Sequence, residues 1–73
     1  MTDIVIDARG LEPPGPFERV VDALTRLQPD ERVVLMLDRE PRPLFRFLAD
    51  NGYQYRVRWA GEPDPHCEVR IWE

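Results

Sequence analysis

The chain has 73 residues, of which 42% are apolar and 33% charged, and its net charge is −4. These values are typical of a single globular domain, and the acidic balance disfavours a nucleic-acid binder, which usually carries a basic excess. The chain has one cysteine and one histidine, which excludes an internal disulfide and a zinc site of the usual thiolate and imidazole type.

The N-terminal sequence MTDIVIDARG is acidic and has no basic region before an apolar run, as a signal peptide would have. No stretch approaches the roughly 20 apolar residues that span a bilayer. We therefore expect a cytoplasmic protein that makes no membrane contact.

The first strand is predicted over residues 3–7, where β-branched residues are flanked by acids. The Gly- and Pro-rich turn ARGLEPPGP follows. Apolar residues then recur at positions 17, 20, 21, 24 and 27, which is the spacing of one helical face. The pattern predicts a helix from Pro16, which fits a first turn, to Pro29, which stops it.

The second strand is predicted over residues 32–38, a short apolar run that suits a strand covered on both faces. After the breaker REPRP, the segment PLFRFLADNG predicts a short helix that ends at Asn51-Gly52. Such a short helix is stable only when it packs against the rest of the domain.

Two segments near the C-terminus, 53–59 and 67–73, alternate between apolar and polar residues. With a loop between them they predict an antiparallel hairpin. A symmetric loop pairs Trp59 with Cys67, Val57 with Val69, Tyr55 with Ile71, Arg58 with Glu68, and Arg56 with Arg70.

The predicted order is β-α-β-α-β-β. Because the hairpin is polar on one face, helices can cover only one side of that part of the sheet. The predicted fold class is therefore α/β (α+β): a two-layer sandwich with a four-stranded mixed sheet and two helices on one face.

The element order, the motif GLEPPGP and the chain length resemble the TusA/SirA-like superfamily of small sulfur-carrier proteins. More narrowly, RGLEPPGPFERVVDAL, DREPRPLFRFL and EVRIW resemble the TusA-related domain-of-unknown-function family 2249. The resemblance covers essentially the whole chain. It implies the TusA-like fold, with strand order 1-2-4-3.

In TusA-like carriers the turn after the first strand reads Gly-Leu-x-Cys-Pro-x-Pro, and here it reads Gly-Leu-Glu-Pro-Pro-Gly-Pro over residues 10–16. Pro14 and Pro16 match the two family prolines, whereas Pro13 stands in the place of the cysteine. Sulfur transfer needs a thiolate at a helix N-terminus, and a pyrrolidine ring cannot carry a persulfide. The resemblance therefore does not extend the sulfur-carrier activity to this site.

Cys67 could in principle replace the missing thiol. The alternation places it on the inward face of the last strand, where a thiol in apolar surroundings has a raised pKa and is usually inert. His66 precedes Cys67, but neighbouring strand residues point to opposite faces, so no activated Cys–His pair is expected. His66 is instead expected to be a solvated loop residue. A sulfur or redox carrier that uses Cys67 remains the alternative function.

Both strand-to-helix turns are expected at the carboxyl edge of the sheet, the usual ligand position in open α/β sheets. Two helix N-termini at this edge would attract an anion. A structural alternative is that Asp7, Glu12, Asp38 and Glu40 only cap helices and pair with arginines. The candidate binding residues are Arg9, Glu12, Pro13, Pro14, Asp38, Arg39, Glu40 and Arg42.

A second candidate surface is the polar face of the hairpin, here called the open face: Gln54, Arg56, Arg58, Glu68, Arg70 and Trp72. Arginine beside an aromatic residue on a sheet is a feature of single-strand RNA platforms, so an RNA-binding module is a third hypothesis. One aromatic residue and the acidic net charge favour a solvated face instead. An exposed Trp72 would mark a protein or homodimer contact.

No serine is present, and no nucleophile–base set or phosphate-binding loop is recognisable. The sequence predicts a non-catalytic domain without a cofactor, which is a monomer or weak homodimer. It is expected to bind a protein partner or a small anion at the edge formed by the two turns, and no nucleic acid.

Overall fold

A computed structural model describes residues 2–73 of the chain. The elements are β1 (Thr2–Asp7), α1 (Gly15–Thr25), β2 (Glu31–Leu37), α2 (Arg42–Asp50), β3 (Gln54–Ala60) and β4 (His66–Trp72). They form one sheet of order β1-β2-β4-β3, in which β1 and β2 are parallel and the other neighbours antiparallel. The predicted element order, mixed sheet and strand order are confirmed.

The core lies between the helices and one face of the sheet, here called the inner face. The central strands β2 and β4 contribute alternate residues to it, while the helices contribute residues spaced four apart, as their periods require. The buried residues of this core are Ala8, Val20, Leu24, Val33, Leu35, Leu37, Leu44, Leu48, Cys67, Val69 and Ile71.

Helix α1 is shorter than its apolar pattern predicts, because it ends at Thr25 and not near Pro29. The amides of Arg26 and Leu27 donate to the carbonyls of Ala23 and Leu24 at 3.1 and 3.3 Å, which tightens the last turn into 3₁₀ geometry. Leu27 still packs against the core from beyond the helix. Helix α2 ends before Asn51-Gly52, as predicted.

The hairpin has the predicted register in all five residue pairs. The burial of the inner-face residues of β3 differs from one end of the strand to the other. Tyr55 stacks on Phe45 of α2 at a ring distance of 5.0 Å, but Val57 and Trp59 are 37% and 51% exposed. Helix α2 (nine residues) therefore contacts β3 at Tyr55, whereas Val57 and Trp59 farther along the strand stay partly or largely exposed.

The open face also differs from the prediction. Trp72 is half-buried and not exposed, and His66, predicted as a solvated loop residue, is the partly buried first residue of β4. Within residues 2–73, neither helix is long and apolar enough to cross a membrane.

Candidate functional site

The two strand-to-helix turns meet at one edge of the sheet because β1 and β2 are parallel neighbours. Two hydrogen bonds hold the first turn at this edge, one to β2 and one to the second turn. The amide of Ala8 donates to the carbonyl of Met36 at 2.9 Å, and the amide of Gly10 donates to Oδ2 of Asp38 at 2.6 Å. Gly10 has φ +81°, a left-handed conformation that glycine adopts without steric cost. Asp38 thus holds the first turn in place.

Arg9 lies at this edge but turns back onto its own strand. Its Nε and Nη2 donate to the two carboxylate oxygens of Asp7 at 2.9 and 2.8 Å, and its backbone amide donates to Oδ1 at 3.1 Å. The hydrogen bonds from the Arg9 side chain, then from its amide, lower the pKa of Asp7 to about 2. The Arg9 guanidinium is therefore already bound by Asp7, the last residue of β1.

The helix N-termini provide fewer amide donors for an anion than the sequence predicts. Pro16 and Pro43 occupy the first turns of α1 and α2 and have no N–H. In α2, the amides of Arg42, Leu44 and Phe45 already donate to carbonyls at 3.0–3.3 Å. Among the described residues, neither helix has a side-chain cap, since the N-cap residues are themselves prolines. The acids predicted as caps do not fill that role.

A cavity of about 410 Å³ opens between the two turns and the helix starts. We call it the proline-lined cavity, because five prolines form much of its wall. Its apolar lining is Ala8, Leu11, Pro13, Pro14, Pro16, Phe17, Leu35, Leu37, Pro41, Pro43 and Leu44, and its charged lining is Glu12, Asp38, Arg39 and Glu40.

The cavity brings together six of the eight residues predicted from the sequence, whereas Arg9 and Arg42 do not line it. The binding role of these residues stays a prediction. Sequence reasoning anticipated charge at this edge and missed the apolar wall, to which Leu11, Phe17 and Leu44 contribute. One signal could have indicated it: proline near the start of both helices, where each removes a donor and adds an apolar surface.

Cys67 lies behind this edge and is completely buried. It pairs with Leu37 on one side and Trp59 on the other. Burial, and secondarily the negative charge of Glu40, raise the pKa of its thiol. His66 directs its ring to the open face, where Nε2 lies 4.0 Å from Oε2 of Glu68. Cys67 and His66 therefore do not form a Cys–His pair.

Glu68 is the buried acid of the open face, with 8% exposure. Its Oε1 lies 2.8 Å from Nη2 of Arg70 and 3.3 Å from Nε of Arg58. The predicted proximity of Arg58 and Glu68 is therefore present, and Arg70 adds a second cation. Arg56 faces Arg70 across the strands, so two like charges are neighbours there.

Comparisons with known proteins give one family and one structural relative. A family model described as "Uncharacterized conserved protein (DUF2249)" matches residues 5–73. A SirA-like protein from Desulfitobacterium hafniense has a similar crystal structure, with a TM-score of 0.75, 23% sequence identity, and coverage of 94% of this chain and 97% of that one. At that identity the likeness shows the fold alone. No curated protein matches the chain.

Proposed function

The chain belongs to the DUF2249 family of uncharacterized conserved proteins, and we propose that it is a non-catalytic, TusA-like binding domain of the cytoplasm. Its proline-lined cavity receives an apolar side chain of a protein partner. The observation that carries this proposal is the cavity itself, an apolar recess at the edge of the sheet with a charged rim. An apolar centre within a polar rim is the usual anatomy of a protein interface.

The size and stiffness of the cavity support this role. Its volume of about 410 Å³ falls in the range of roughly 300–1,000 Å³ that binding pockets occupy. Pro13, Pro14 and Pro16 line one side, and Pro41 and Pro43 line the other. Proline fixes φ, so a wall built from it loses less conformational freedom when a ligand binds.

The rim charges favour a partner with a positive charge beside its apolar residue. Glu12, Asp38 and Glu40 lie on the rim with a single basic residue, Arg39. The proline positions and the occupied amides of α2 give a small anion little to bind. A small anion or an acidic segment of the partner therefore receives less support than a basic one.

The alternative functions also receive less support. A sulfur carrier needs an accessible thiolate, whereas position 13 is proline and Cys67 is completely buried with a raised pKa. An RNA platform needs exposed aromatic rings on which bases stack. Trp72 on the open face is half-buried, and the exposed Trp59 belongs to the inner face.

The test removes the apolar wall without disturbing the core. Leu11 lines the cavity and is 39% exposed, and Val5 on the opposite sheet face is 61% exposed. A partner is first captured from the native organism with the wild-type chain and identified by mass spectrometry. Purified partner should then bind Leu11→Ser at least tenfold more weakly and Val5→Ser with unchanged affinity. Equal affinity for both variants would refute the proposal.

A second pair of variants decides the charge of the partner. Replacing both Glu12 and Glu40 by Gln should weaken binding if the partner is basic at the rim. The double variant Arg39→Ala, Arg42→Ala should weaken binding if the partner is acidic. All four residues are exposed, so both double variants should fold, which circular dichroism checks. The expected result is a loss for the glutamate variant and little change for the arginine variant.

A further inference from the structure

Within residues 2–73, strand β3 has one neighbour in the sheet, β4, so its other side is an unpaired edge. In an antiparallel pair every second residue directs its N–H and C=O away from the partner strand. Over the seven residues Gln54–Ala60, these groups form a row of free donors and acceptors that another strand can bind. Every edge strand has such a row of backbone groups, so the side chains of β3 determine which partner strand can bind.

The outer side of this edge carries an excess of positive charge. Arg56, Arg58 and Arg70 lie there with one acid, Glu68, which is shared by Arg58 and Arg70. Arg56 makes no ion pair within residues 2–73. A domain with net charge −4 thus has a local positive surface along one strand.

The inner side of the same edge is apolar and uncovered. Val57 and Trp59 are 37% and 51% exposed there. A strand placed beside β3 would cover both residues with its own inner side chains, which lie about 4.5–5.5 Å away in such pairs. The edge therefore combines free backbone groups, an apolar side and a basic side.

We propose that β3 accepts, as a fifth strand, an extended segment of a partner protein in which acidic and apolar residues alternate. The acids of that segment lie opposite Arg56 and Arg58, and its apolar residues lie against Val57 and Trp59. This interaction is separate from the proline-lined cavity. It uses the β3 edge of the sheet, which β4 separates from the cavity-lining strand β2, and does not depend on the function proposed for the cavity.

A second copy of this chain does not fit the edge. When β3 of one copy pairs antiparallel with β3 of a second copy, the apolar side chains share one face only if odd-numbered residues lie opposite odd-numbered residues. The central register then places Arg56 opposite Arg58 of the copy, and the next registers place Arg56 opposite Arg56 or Arg58 opposite Arg58. Like charges directly opposite each other are destabilising, so these arginines select against self-pairing.

The other edge strand, β1, lacks this selectivity for an acidic partner. Its acids are already paired: Asp3 with Arg32 at 2.8 Å and Asp7 with Arg9 at 2.8 Å. Within residues 2–73, the outer side of the β3 edge has more arginines than acids, whereas the acids of β1 are matched by arginines.

The test uses two capped seven-residue peptides in which valine alternates with glutamate or with lysine. Each is titrated into the full chain at low salt while amide exchange of β3 and the indole signal of Trp59 are followed by NMR. The glutamate peptide should bind at least about tenfold more tightly than the lysine peptide, since its charges attract where those of lysine repel. Alternate β3 amides should gain protection from exchange, which electrostatic attraction alone would not cause.

Charge-reversed variants make the test specific. The double variant Arg56→Glu, Arg58→Glu should reverse the preference and bind the lysine peptide more tightly. The matched control Arg19→Glu, Arg46→Glu changes the net charge equally on exposed helix positions and should keep the wild-type preference.

Three outcomes would overturn the proposal. They are equal binding of the two peptides, binding of neither, and tight binding of an oligouridylate in place of the glutamate peptide, which would indicate nucleic acid. The variant Leu11→Ser should bind the glutamate peptide as the wild type does. Failure at the cavity and failure at the β3 edge are therefore distinguished.

Discussion

Two leucines on α2, four residues apart, should differ in how much they stabilise the domain. Leu44 and Leu48 are 2% and 0% exposed, so both lose the same buried hydrocarbon when replaced by alanine. That loss is about 2.4 kcal/mol at ~0.8 kcal/mol per carbon. Leu44 lines the proline-lined cavity and Leu48 does not, and this difference decides the remaining cost.

The void left by Leu48→Ala is enclosed by the core and adds a cavity penalty, which brings the total to about 4 kcal/mol. The void left by Leu44→Ala opens into an existing recess that water can enter, so its cost stays at about 2–3 kcal/mol. A chain of 73 residues has a total stability of only about 4–11 kcal/mol at ~0.05–0.15 kcal/mol per residue. Either change is therefore a large fraction of the whole.

Urea denaturation followed by circular dichroism measures the difference. With a slope near 1 kcal/mol per molar urea for so small a domain, the midpoints of the two variants should differ by about 1–2 M. Leu48→Ala should be the less stable variant, at an unchanged slope. Equal midpoints, or a lower midpoint for Leu44→Ala, would refute the inference that the cavity continues to Leu44.

Three further outcomes follow from individual contacts. In Arg9→Gln the pKa of Asp7, measured by NMR, should rise from about 2 toward 3.8 but stay below 3.8, because the backbone amide of residue 9 still donates to it. A carboxyl group whose pKa is lower in the folded than in the unfolded state stabilises the fold at any pH above the unfolded-state pKa. This stabilisation is lost as pH falls from about 4 to 2. The variant should therefore lose less stability than the wild type over that pH range. Cys67 should react with iodoacetamide slowly in the native state and quickly in urea, because burial raises the pKa of its thiol. Intact-mass measurements follow the reaction, and fast native labelling near neutral pH would favour the carrier function. Glu68→Gln should destabilise the fold by about 1–2 kcal/mol in denaturant titrations. This lies between the values for surface and buried ion pairs, since the arginine partners of Glu68 are partly exposed. The exposed control Glu62→Gln should leave stability unchanged, and an equal loss in both variants would contradict the role of the ion pairs.

The sequence was sufficient for the element order and for the hairpin, because those signals are local. Alternation with a period of two fixed which residues of 53–59 and 67–73 share a face, and the five predicted pairs follow from it. The replacement of the family cysteine by Pro13 was equally visible, since it is a matter of covalent chemistry. The parallel pairing of β1 and β2 also brings six of the eight candidate residues around one cavity.

Other properties depended on how far one element reaches over another, which no single segment encodes. The alternation assigns Trp59 to the inner face, but only the tertiary arrangement, in which α2 contacts β3 at Tyr55, leaves it 51% exposed. Arg9 was predicted as a binding residue at the carboxyl edge of the sheet, yet its side chain turns to Asp7, an acid two residues away whose two carboxylate oxygens accept its hydrogen bonds. The cavity itself is a gap between two turns and two helices. Its volume and its apolar wall exist only once packing has placed those four segments together.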